Sequence, residues 1–225
     1  MKLSLFVVVL ALIQSEERAT VTGTITAVNP GECAKLKIDC KQCAERLKDG
    51  LLSEDVVADK EGHLKEAFVY VKKGVAGKFE PPKDPITIRM KGGRYEPHVV
   101  CVQAGQELVF VNDDDHLYNV KASSASNGTF NEGVDTGKKL ARKLEKPDLF
   151  EVRDSVHPWM RAWVLVRDNP FMTVTDSAGK FKLPPLPPGK LTIAVAHPLY
   201  KTVAEEIEVK AKDDRTLDVT LKERK

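Results

Sequence analysis

The fold is decided by the stretch Phe150-Glu-Val-Arg-Asp-Ser-Val-His-Pro-Trp-Met-Arg-Ala-Trp-Val164. Apolar residues alternate with larger or charged ones from Ala162 to Val166, and this period of two predicts a β-strand. Just before that strand, His157 and Met160 stand three residues apart, and Asp154 precedes His157 by three. Imidazole and thioether groups are both ligands of transition metals. The stretch therefore predicts a strand preceded by a loop that carries donors for a metal ion.

The same alternation recurs along most of the chain. Short alternating runs are separated by clusters of Gly, Pro, Asn and Asp, a pattern typical of an all-β sandwich. Residues 41–52 are the exception, because Cys40, Cys43 and Leu47 would share one face of a helix. Gly50 weakens the end of that segment. We predict an all-β chain with one short helix near 41–52.

Composition sets limits on function. The chain has 225 residues, enough for one or two domains. Its formal net charge is +2 and its charged residues are interspersed, which argues against a nucleic-acid partner. The sequence contains no nucleophile elbow, no HExxH motif and no phosphate-binding glycine-rich loop. We predict a protein that is not an enzyme.

The first residues predict export. Lys2 is followed by an uncharged apolar run from Leu3 to Ile13, and charges return at Glu16. The run has the length of a signal-peptide core and is too short to span a bilayer. A buried N-terminal strand is the alternative. We predict a signal peptide at residues 1–15, a periplasmic or secreted protein, and no transmembrane segment elsewhere in the chain.

Export would place the four cysteines in a compartment where they can form disulfides. Cys33, Cys40, Cys43 and Cys101 are disulfide candidates in an oxidising compartment, with three possible connectivities. The spacing of Cys40 and Cys43 also suits a thiol-redox pair, but the βαβ context of such pairs is missing. Haem attachment would require a histidine where the chain has Ala44. Structural disulfides are therefore the prediction.

Three segments occur in the order of a known family: Lys91-Gly-Gly-Arg-Tyr-Glu-Pro-His-Val99, Gln103-Ala-Gly-Gln-Glu-Leu-Val-Phe-Val-Asn112 and His157-Pro-Trp-Met-Arg-Ala-Trp-Val164. They resemble the cupredoxin domain of exported bacterial proteins often labelled methylamine-utilisation-like. Upstream, Phe68-Val-Tyr-Val71 is similar to the N-terminal strands of that family. The resemblance implies a Greek-key β-sandwich over residues 20–168.

The tail resembles a second family. Val174-Thr-Asp176 and Leu186-Pro-Pro-Gly-Lys-Leu-Thr192 are similar to segments of the carboxypeptidase-regulatory or transthyretin-like β-sandwich. Asn169-Pro170 stands before them and marks a boundary. The resemblance implies a small transthyretin-like β domain at 169–225.

The cupredoxin resemblance also implies a type 1 copper site, which this chain keeps only in part. The closing loop of amicyanin-like cupredoxins reads Cys-x-x-His-x-x-Met, so His157 and Met160 match while Asp154 stands at the cysteine. Tyr118 stands at the position of the first histidine ligand. Without a thiolate the covalency that makes a blue site is lost. We predict that the type 1 site is lost and that the protein carries no cofactor.

A rebuilt metal site is the alternative. His116 lies two residues before Tyr118, so the two side chains would share one face of a strand. His116, His157 and Asp154 would then offer nitrogen and oxygen ligands, with Met160 beside them, to zinc or non-blue copper. In the relic interpretation Asp154 instead hydrogen-bonds His157 or accepts from Tyr118, since a buried carboxylate requires partners.

The function predicted from these patterns is a non-catalytic binding or structural module. Its contact surface would lie near Trp159, Met160 and Trp163, and its partner would be a protein or surface that the sequence does not name. The two tryptophans would otherwise cap the core of the sandwich. Copper or zinc binding, with electron transfer, is the competing function.

Overall fold

The computed structural model describes residues 17–31, 33–38 and 41–224, apart from the side chains of Lys41 and Gln42. The predicted signal peptide at 1–15 and Cys40 lie outside the described residues. Strands dominate what is described, which confirms the all-β class. The strands are β1 (Thr20–Ala27), β2 (Phe68–Lys73), β3 (Ile86–Lys91), β4 (Arg94–Glu96), β5 (Val99–Gln103), β6 (Glu107–Asn112), β7 (Tyr118–Ser124), β8 (Gly128–Val134), β9 (Lys139–Lys143), β10 (Asp148–Arg153), β11 (Arg161–Arg167), β12 (Met172–Val174), β13 (Lys180–Lys182), β14 (Gly189–His197), β15 (Tyr200–Val209), β16 (Asp214–Thr216) and β17 (Val219–Leu221), and the helix is α1 (Lys41–Arg46).

The strands are divided between two compact units. The central unit consists of Pro30–Val57 and Lys78–Pro170, and the terminal unit consists of the described parts of Met1–Asn29, Ala58–Gly77 and Phe171–Lys225. Among the described residues, no helix combines the length and the apolar character needed to cross a membrane.

The central unit is a sandwich of two sheets. One has the strand order β5-β11-β10-β7-β8 and the other β4-β3-β6-β9. Ile88 and Phe110 of the second sheet are buried in one core with Val120 and Val164 of the first. Each such side chain contributes about 1.5–3 kcal/mol when fully buried. Parallel pairing of β3 with β6 and of β5 with β11 requires the chain to cross between sheets, as in the Greek-key sandwich predicted from the resemblance.

The terminal unit is also built of two sheets. Strand β1 pairs with β13, β16 and β17, and the second sheet has the order β12-β2-β14-β15. Strands β1 and β2 therefore lie in the terminal unit, whereas the predicted boundaries assign both to a domain at 20–168. The periodicity of a strand reveals its buried face but not its partner. Gly23 pairs with Phe181, and Val69 pairs with Val195, at separations that no local pattern reveals.

A close approach to β1 explains one glycine of the tail. A Cβ on Gly179 would lie 2.7 Å from the carbonyl oxygen of Ile25, and the residue has a φ of +68°. Asp176 forms the turn by accepting hydrogen bonds of 2.9 Å from the backbone N–H groups of Ala178 and Lys180. The turn from Asp176 to Gly179 thus packs closely on β1.

The helix is shorter than the predicted segment 41–52. The backbone N–H of Leu47 donates to the carbonyl oxygen of Cys43 at 2.8 Å, and α1 ends at Arg46. Gly50 then adopts a φ of +70°, which turns the chain away from a helical path. The residues after Gly50 leave the helix, and Leu52 forms an isolated bridge with Lys35.

Candidate functional site

A cavity of about 630 Å³ lies at one end of the central unit. Its walls come from α1 and Leu47 after it, from the β3–β4 turn at Gly92 and Gly93, from the loop that leads into β7, and from the loop between β10 and β11. The resemblance places the copper ligands of a cupredoxin on the last two of these loops. The volume is within the range of small-molecule sites in proteins.

Four aromatic rings line this cavity. The ring of His157 is 5.4 Å from that of Tyr118 and 5.4 Å from that of Trp159, between centroids. His116 is 4.4 Å from Tyr118 and 6.0 Å from His157. All four contacts are edge-to-face, the arrangement that the ring quadrupoles favour. The sequence-predicted residues His116, Tyr118, His157 and Trp159 are therefore brought together.

Asp154 is buried, with 1% of its surface exposed, and its carboxylate accepts three backbone hydrogen bonds. Oδ2 accepts a hydrogen bond from the backbone N–H of Asn119 at 2.7 Å. Oδ1 accepts from the backbone N–H groups of Val156 at 2.6 Å and His157 at 2.8 Å. Burial opposes ionisation, but the His157 side chain and these N–H groups together hold the pKa of Asp154 below its ordinary value.

The buried nitrogen of His157 faces that carboxylate. Its Nδ1 lies 3.2 Å from Oδ2 of Asp154. The contact qualifies as an ion pair by distance, but its direction is not that of a hydrogen bond, and Nδ1 makes none. The backbone N–H of Met160 donates to the carbonyl oxygen of His157 at 2.8 Å and closes the loop. His157 is thereby fixed at the base of the cavity.

Tyr118 is bonded to Asp114 rather than to Asp154. Its hydroxyl donates to Oδ2 of Asp114 at 2.7 Å and accepts from the backbone N–H of Gly93 at 2.9 Å. Burial, and next the hydrogen bond to Asp114, raise the pKa of Tyr118 above its ordinary value. The relic interpretation offered two alternatives for Asp154, a hydrogen bond with His157 or one from Tyr118, and the hydroxyl of Tyr118 is bonded to Asp114 instead.

The imidazole of His116 contacts the guanidinium of Arg46, a residue 70 positions earlier in the chain. Nη1 of Arg46 lies 2.6 Å from Nδ1 of His116, and the same guanidinium forms an ion pair with Asp115. A guanidinium can only donate, so Nδ1 of His116 is the acceptor and its proton resides on Nε2. A contact of 3.3 Å between Nδ1 and Asp115 is longer, and it would require the opposite tautomer. We therefore assign the tautomer that the shorter contact requires, with the proton on Nε2 of His116.

The remaining predicted site residues lie away from the cavity. Met160 is a core residue with 1% of its surface exposed. Trp163 is half-buried within β11, between Glu151 of β10 and Val99 of β5. Of the predicted contact surface, Trp159 alone lines the cavity, where its Nε1–H donates to the carbonyl oxygen of Gly93 at 3.2 Å.

The cysteines do not all pair as expected. Cys43 is part of a disulfide and lines the cavity. Cys33 and Cys101 have free thiols. Cys101 lies in the middle of β5 opposite Leu165, and its burial raises the pKa of the thiol to about 12. Cys33 and Cys101 are therefore in no disulfide, which the cysteine count cannot reveal.

No sequence pattern assigned Arg46 or Leu47 to a functional site, although both residues line the cavity. Arg46 lies 70 residues from His116, and no motif connects them. Only the helical periodicity around Cys43 and Leu47 pointed to that segment at all.

A separate cluster lies in the terminal unit. Asp59, Glu61 and His63 hold donor atoms within 4.8 Å of one another, the one such group of three among the described residues. Nδ1 of His63 is 2.6 Å from Oδ2 of Asp59, and Oδ1 of Asp59 accepts from the backbone N–H groups of Glu61 and His63. These bonds are those of a side-chain-stabilised turn.

The comparison with protein families concerns the tail of the chain. A family described as carboxypeptidase regulatory-like domain matches residues 152–222. That match confirms the predicted similarity. It begins within β10 of the central unit and extends through β17 of the terminal unit, so it does not follow the boundary between the two units.

Similar solved structures include copper proteins. A purple cupredoxin from Nitrosopumilus maritimus is 21% identical, with a TM-score of 0.33, over 36% of this chain and 99% of that one. A point mutant of amicyanin in its reduced Cu(I) form is 16% identical, with a TM-score of 0.36, over 44% and 98%. A copper-containing nitrite reductase from Thermus scotoductus SA-01 is 21% identical, with a TM-score of 0.36, over 44% of this chain and 25% of its own. A comparison with curated proteins found no match.

Proposed function

We propose that the central unit is a non-catalytic binding module on a cupredoxin-like scaffold from which the type 1 copper site has been lost. One observation carries the proposal. The carboxylate of Asp154, at the position where the resemblance expects a thiolate, accepts three backbone hydrogen bonds from Asn119, Val156 and His157. It serves there as a structural acceptor, because three of the roughly four lone-pair sites of a carboxylate are used by backbone N–H groups.

The other donors support the same proposal. A type 1 site requires a cysteine thiolate, and the free thiols among the described residues, Cys33 and Cys101, are not among the residues that line the cavity. The Tyr118 hydroxyl is already bonded to Asp114 and Gly93. These residues do not fit type 1 copper.

The side chains around the cavity also favour binding over catalysis. Arg46 is paired with Asp115 and His116, and Tyr118 is paired with Asp114. Among the described residues, no serine, no threonine and no thiol outside a disulfide lines the cavity. The hydroxyl and thiol nucleophiles of serine, threonine and cysteine are therefore missing from the described wall, and a concave, largely apolar site remains.

A second candidate is a zinc or non-blue copper site. The buried Nδ1 of His157 makes no hydrogen bond and lies 3.2 Å from Oδ2 of Asp154, a separation that two ligands of one tetrahedral ion would have. The His116 ring is 6.0 Å away. These three residues, with Met160 in the adjoining core, are the ligands that this candidate would use.

Metal loading separates the two candidates. The purified protein is incubated with Cu²⁺ or Zn²⁺ and desalted, and its metal content and visible spectrum are measured. We expect the native protein to retain no more metal than a His63→Gln variant does. That substitution disrupts the exposed cluster of Asp59, Glu61 and His63. Copper retained without an intense band, and lost in His157→Ala, would establish the second candidate. An intense thiolate-to-copper band would refute the proposal.

We further propose that the protein is exported to the periplasm or secreted, because residues Leu3 to Ile13 have the character of a signal-peptide core. The full chain is expressed in a Gram-negative bacterium and the accumulated protein is sequenced from its N-terminus. We expect an N-terminus near Glu16 in the periplasmic fraction. Uncleaved protein in the cytosol would contradict export.

A further inference from the structure

We propose that the cavity binds a phenol group, meaning a planar aromatic ring that bears a hydroxyl, supplied either by a small molecule or by a tyrosine of a partner. This inference rests on the proposed binding function and specifies the ligand. It follows from the shape of the walls and from the hydrogen-bonding roles of two imidazoles.

The walls suit a flat apolar ring. The ring of His157 lies edge-to-face against the rings of Tyr118 and Trp159, at 5.4 Å from each, and Leu47 completes the apolar side. Among the residues that line the cavity, Leu117 is 54% exposed and Val156 is 67% exposed. An aromatic guest would cover apolar surface that water now contacts and would extend the edge-to-face packing.

The first imidazole offers a donor. Arg46 donates to Nδ1 of His116, so the proton of that neutral ring is on Nε2. No hydrogen bond of the described residues uses this Nε2–H, and the ring lines the cavity. A ligand oxygen can accept from it.

The second imidazole offers an acceptor. Nδ1 of His157 lies 3.2 Å from a carboxylate oxygen of Asp154, and two lone pairs at that distance would repel each other. In the neutral form of the ring, the proton is therefore assigned to Nδ1 and the lone pair to Nε2. Nδ1 is the fully buried nitrogen of this ring, whereas His157 still lines the cavity.

A hydroxyl matches this pair of imidazoles. It can accept one hydrogen bond from His116 and donate one to His157. The centroids of these two imidazole rings are 6.0 Å apart. An ether can only accept, and a hydrocarbon can do neither. A charged ligand is not favoured, because Arg46 is already paired with Asp115, and Asp114 accepts from Tyr118 and from the backbone N–H of Gly92.

The test uses Trp159 as the reporter. In a Trp163→Phe background, which removes the tryptophan outside the cavity, emission excited at the red edge is followed during titration with phenol, anisole, toluene and cyclohexanol. Since one hydrogen bond is worth about 1 kcal/mol, or about fivefold in affinity, we expect phenol to bind roughly fivefold or more tighter than anisole and toluene. Equal affinities for phenol and toluene, or no response to millimolar phenol, would overturn the inference.

Two variants assign the hydrogen bonds. His116→Phe and His157→Phe each keep a ring and remove one polar contact, so phenol affinity should fall about fivefold in each, while toluene affinity should hold. His63→Phe, an equivalent change in the terminal unit, should alter neither. If His157→Phe fails to fold, His116→Phe alone still decides, because unchanged phenol affinity in that variant contradicts the donor role.

A last comparison distinguishes the source of the phenol. The tripeptide Gly-Tyr-Gly binding at least as well as phenol would indicate a tyrosine of a partner, and phenol binding alone would indicate a small molecule. The metal-loading result is independent of this titration. Phenol selectivity together with an intense copper band would refute the proposed function alone, whereas absent phenol selectivity without retained metal would refute this inference alone.

Discussion

The Asp154 carboxylate and the backbone N–H of Asn119 are joined by a 2.7 Å hydrogen bond that spans 35 residues. This bond connects the start of β7 to the loop that follows β10. Asn119 returns the interaction, since its Oδ1 accepts from the backbone N–H of Ser155 at 3.1 Å. The strand and the loop are thus held together by amide and carboxylate groups.

Asp154→Asn should destabilise the protein by about 2 kcal/mol or more, because hydrogen bonds to a buried charge are worth about 1.5–3 kcal/mol. The new amide group would place a donor against the N–H of Asn119. Urea denaturation at pH 7 measures the loss. Asp115→Asn is the matched control, since the Asp115 side chain is 80% exposed, and it should change stability by less than about 0.5 kcal/mol. Equal effects of the two substitutions would contradict the structural role of Asp154.

Acid should remove the contribution of Asp154. Its pKa is lowered in the folded state, since the His157 side chain and the backbone N–H groups outweigh the cost of burial. Below the unfolded pKa of about 3.9 the unfolded chain binds more protons, so stability falls as pH falls toward the folded pKa. Denaturation curves of the native protein and of Asp154→Asn should therefore converge below about pH 4. A constant difference down to pH 2 would exclude this linkage.

The two free thiols should react at very different rates. Cys33 is exposed, whereas Cys101 is half-buried and desolvation raises the pKa of its thiol to about 12, so its thiolate is scarce at neutral pH. Dithiobis(nitrobenzoate) should label one thiol within minutes and a second only after urea is added. Cys33→Ser should abolish the fast phase. Rapid labelling of Cys101 in the folded protein would contradict its burial.

Tyr118→Phe should cost about 1–3 kcal/mol, because it leaves the N–H of Gly93 without its acceptor and removes one of the two hydrogen bonds that Oδ2 of Asp114 accepts. Asp114→Asn should cost a similar amount. Since both substitutions break the same bond, the double variant should be less destabilised than the sum of the two. Urea denaturation of the four proteins measures this coupling, and strict additivity would show that the bond contributes nothing.

Gly93 and Gly92 form a matched pair for testing the cavity wall. Both have positive φ, of +71° and +57°, but only a Cβ on Gly93 meets neighbours, at 3.1 Å from Leu47 and 3.5 Å from Trp159. Alanine at Gly92 should show the backbone cost of about 1 kcal/mol alone. Alanine at Gly93 should cost more and shift the emission of Trp159. An identical loss at both positions, with no spectral shift, would place the wall elsewhere.

The sequence was informative wherever a signal is local. The alternation from Ala162 to Val166 predicts β11, and the spacing of His157 after Asp154 predicts two groups that the structure places 3.2 Å apart. The turn at Asp176 was also visible, since an Asp and a Gly three residues apart favour a turn. Each of these depends on contacts between residues that are near in the chain.

Long-range contacts could not be foreseen from one sequence. Nothing in the pattern around Arg46 indicates that its guanidinium reaches His116, 70 residues away. The partner of Tyr118 was equally ambiguous, because Asp114 and Asp154 are both carboxylates and only the path of the loop selects between them. The same holds for β1, whose alternation fits any sheet with an apolar face.

The course of β1 has a consequence for synthesis. The residues of the central unit are complete once Pro170 has been made, whereas β1 pairs with β13, β16 and β17, so its last partner strand ends at Leu221. Chain growth at 5–20 residues per second or so leaves β1 with unpaired edges until Leu221 has emerged. A ribosome that stops between these points would release a finished sandwich attached to an open strand, and edges of that kind are where chains aggregate.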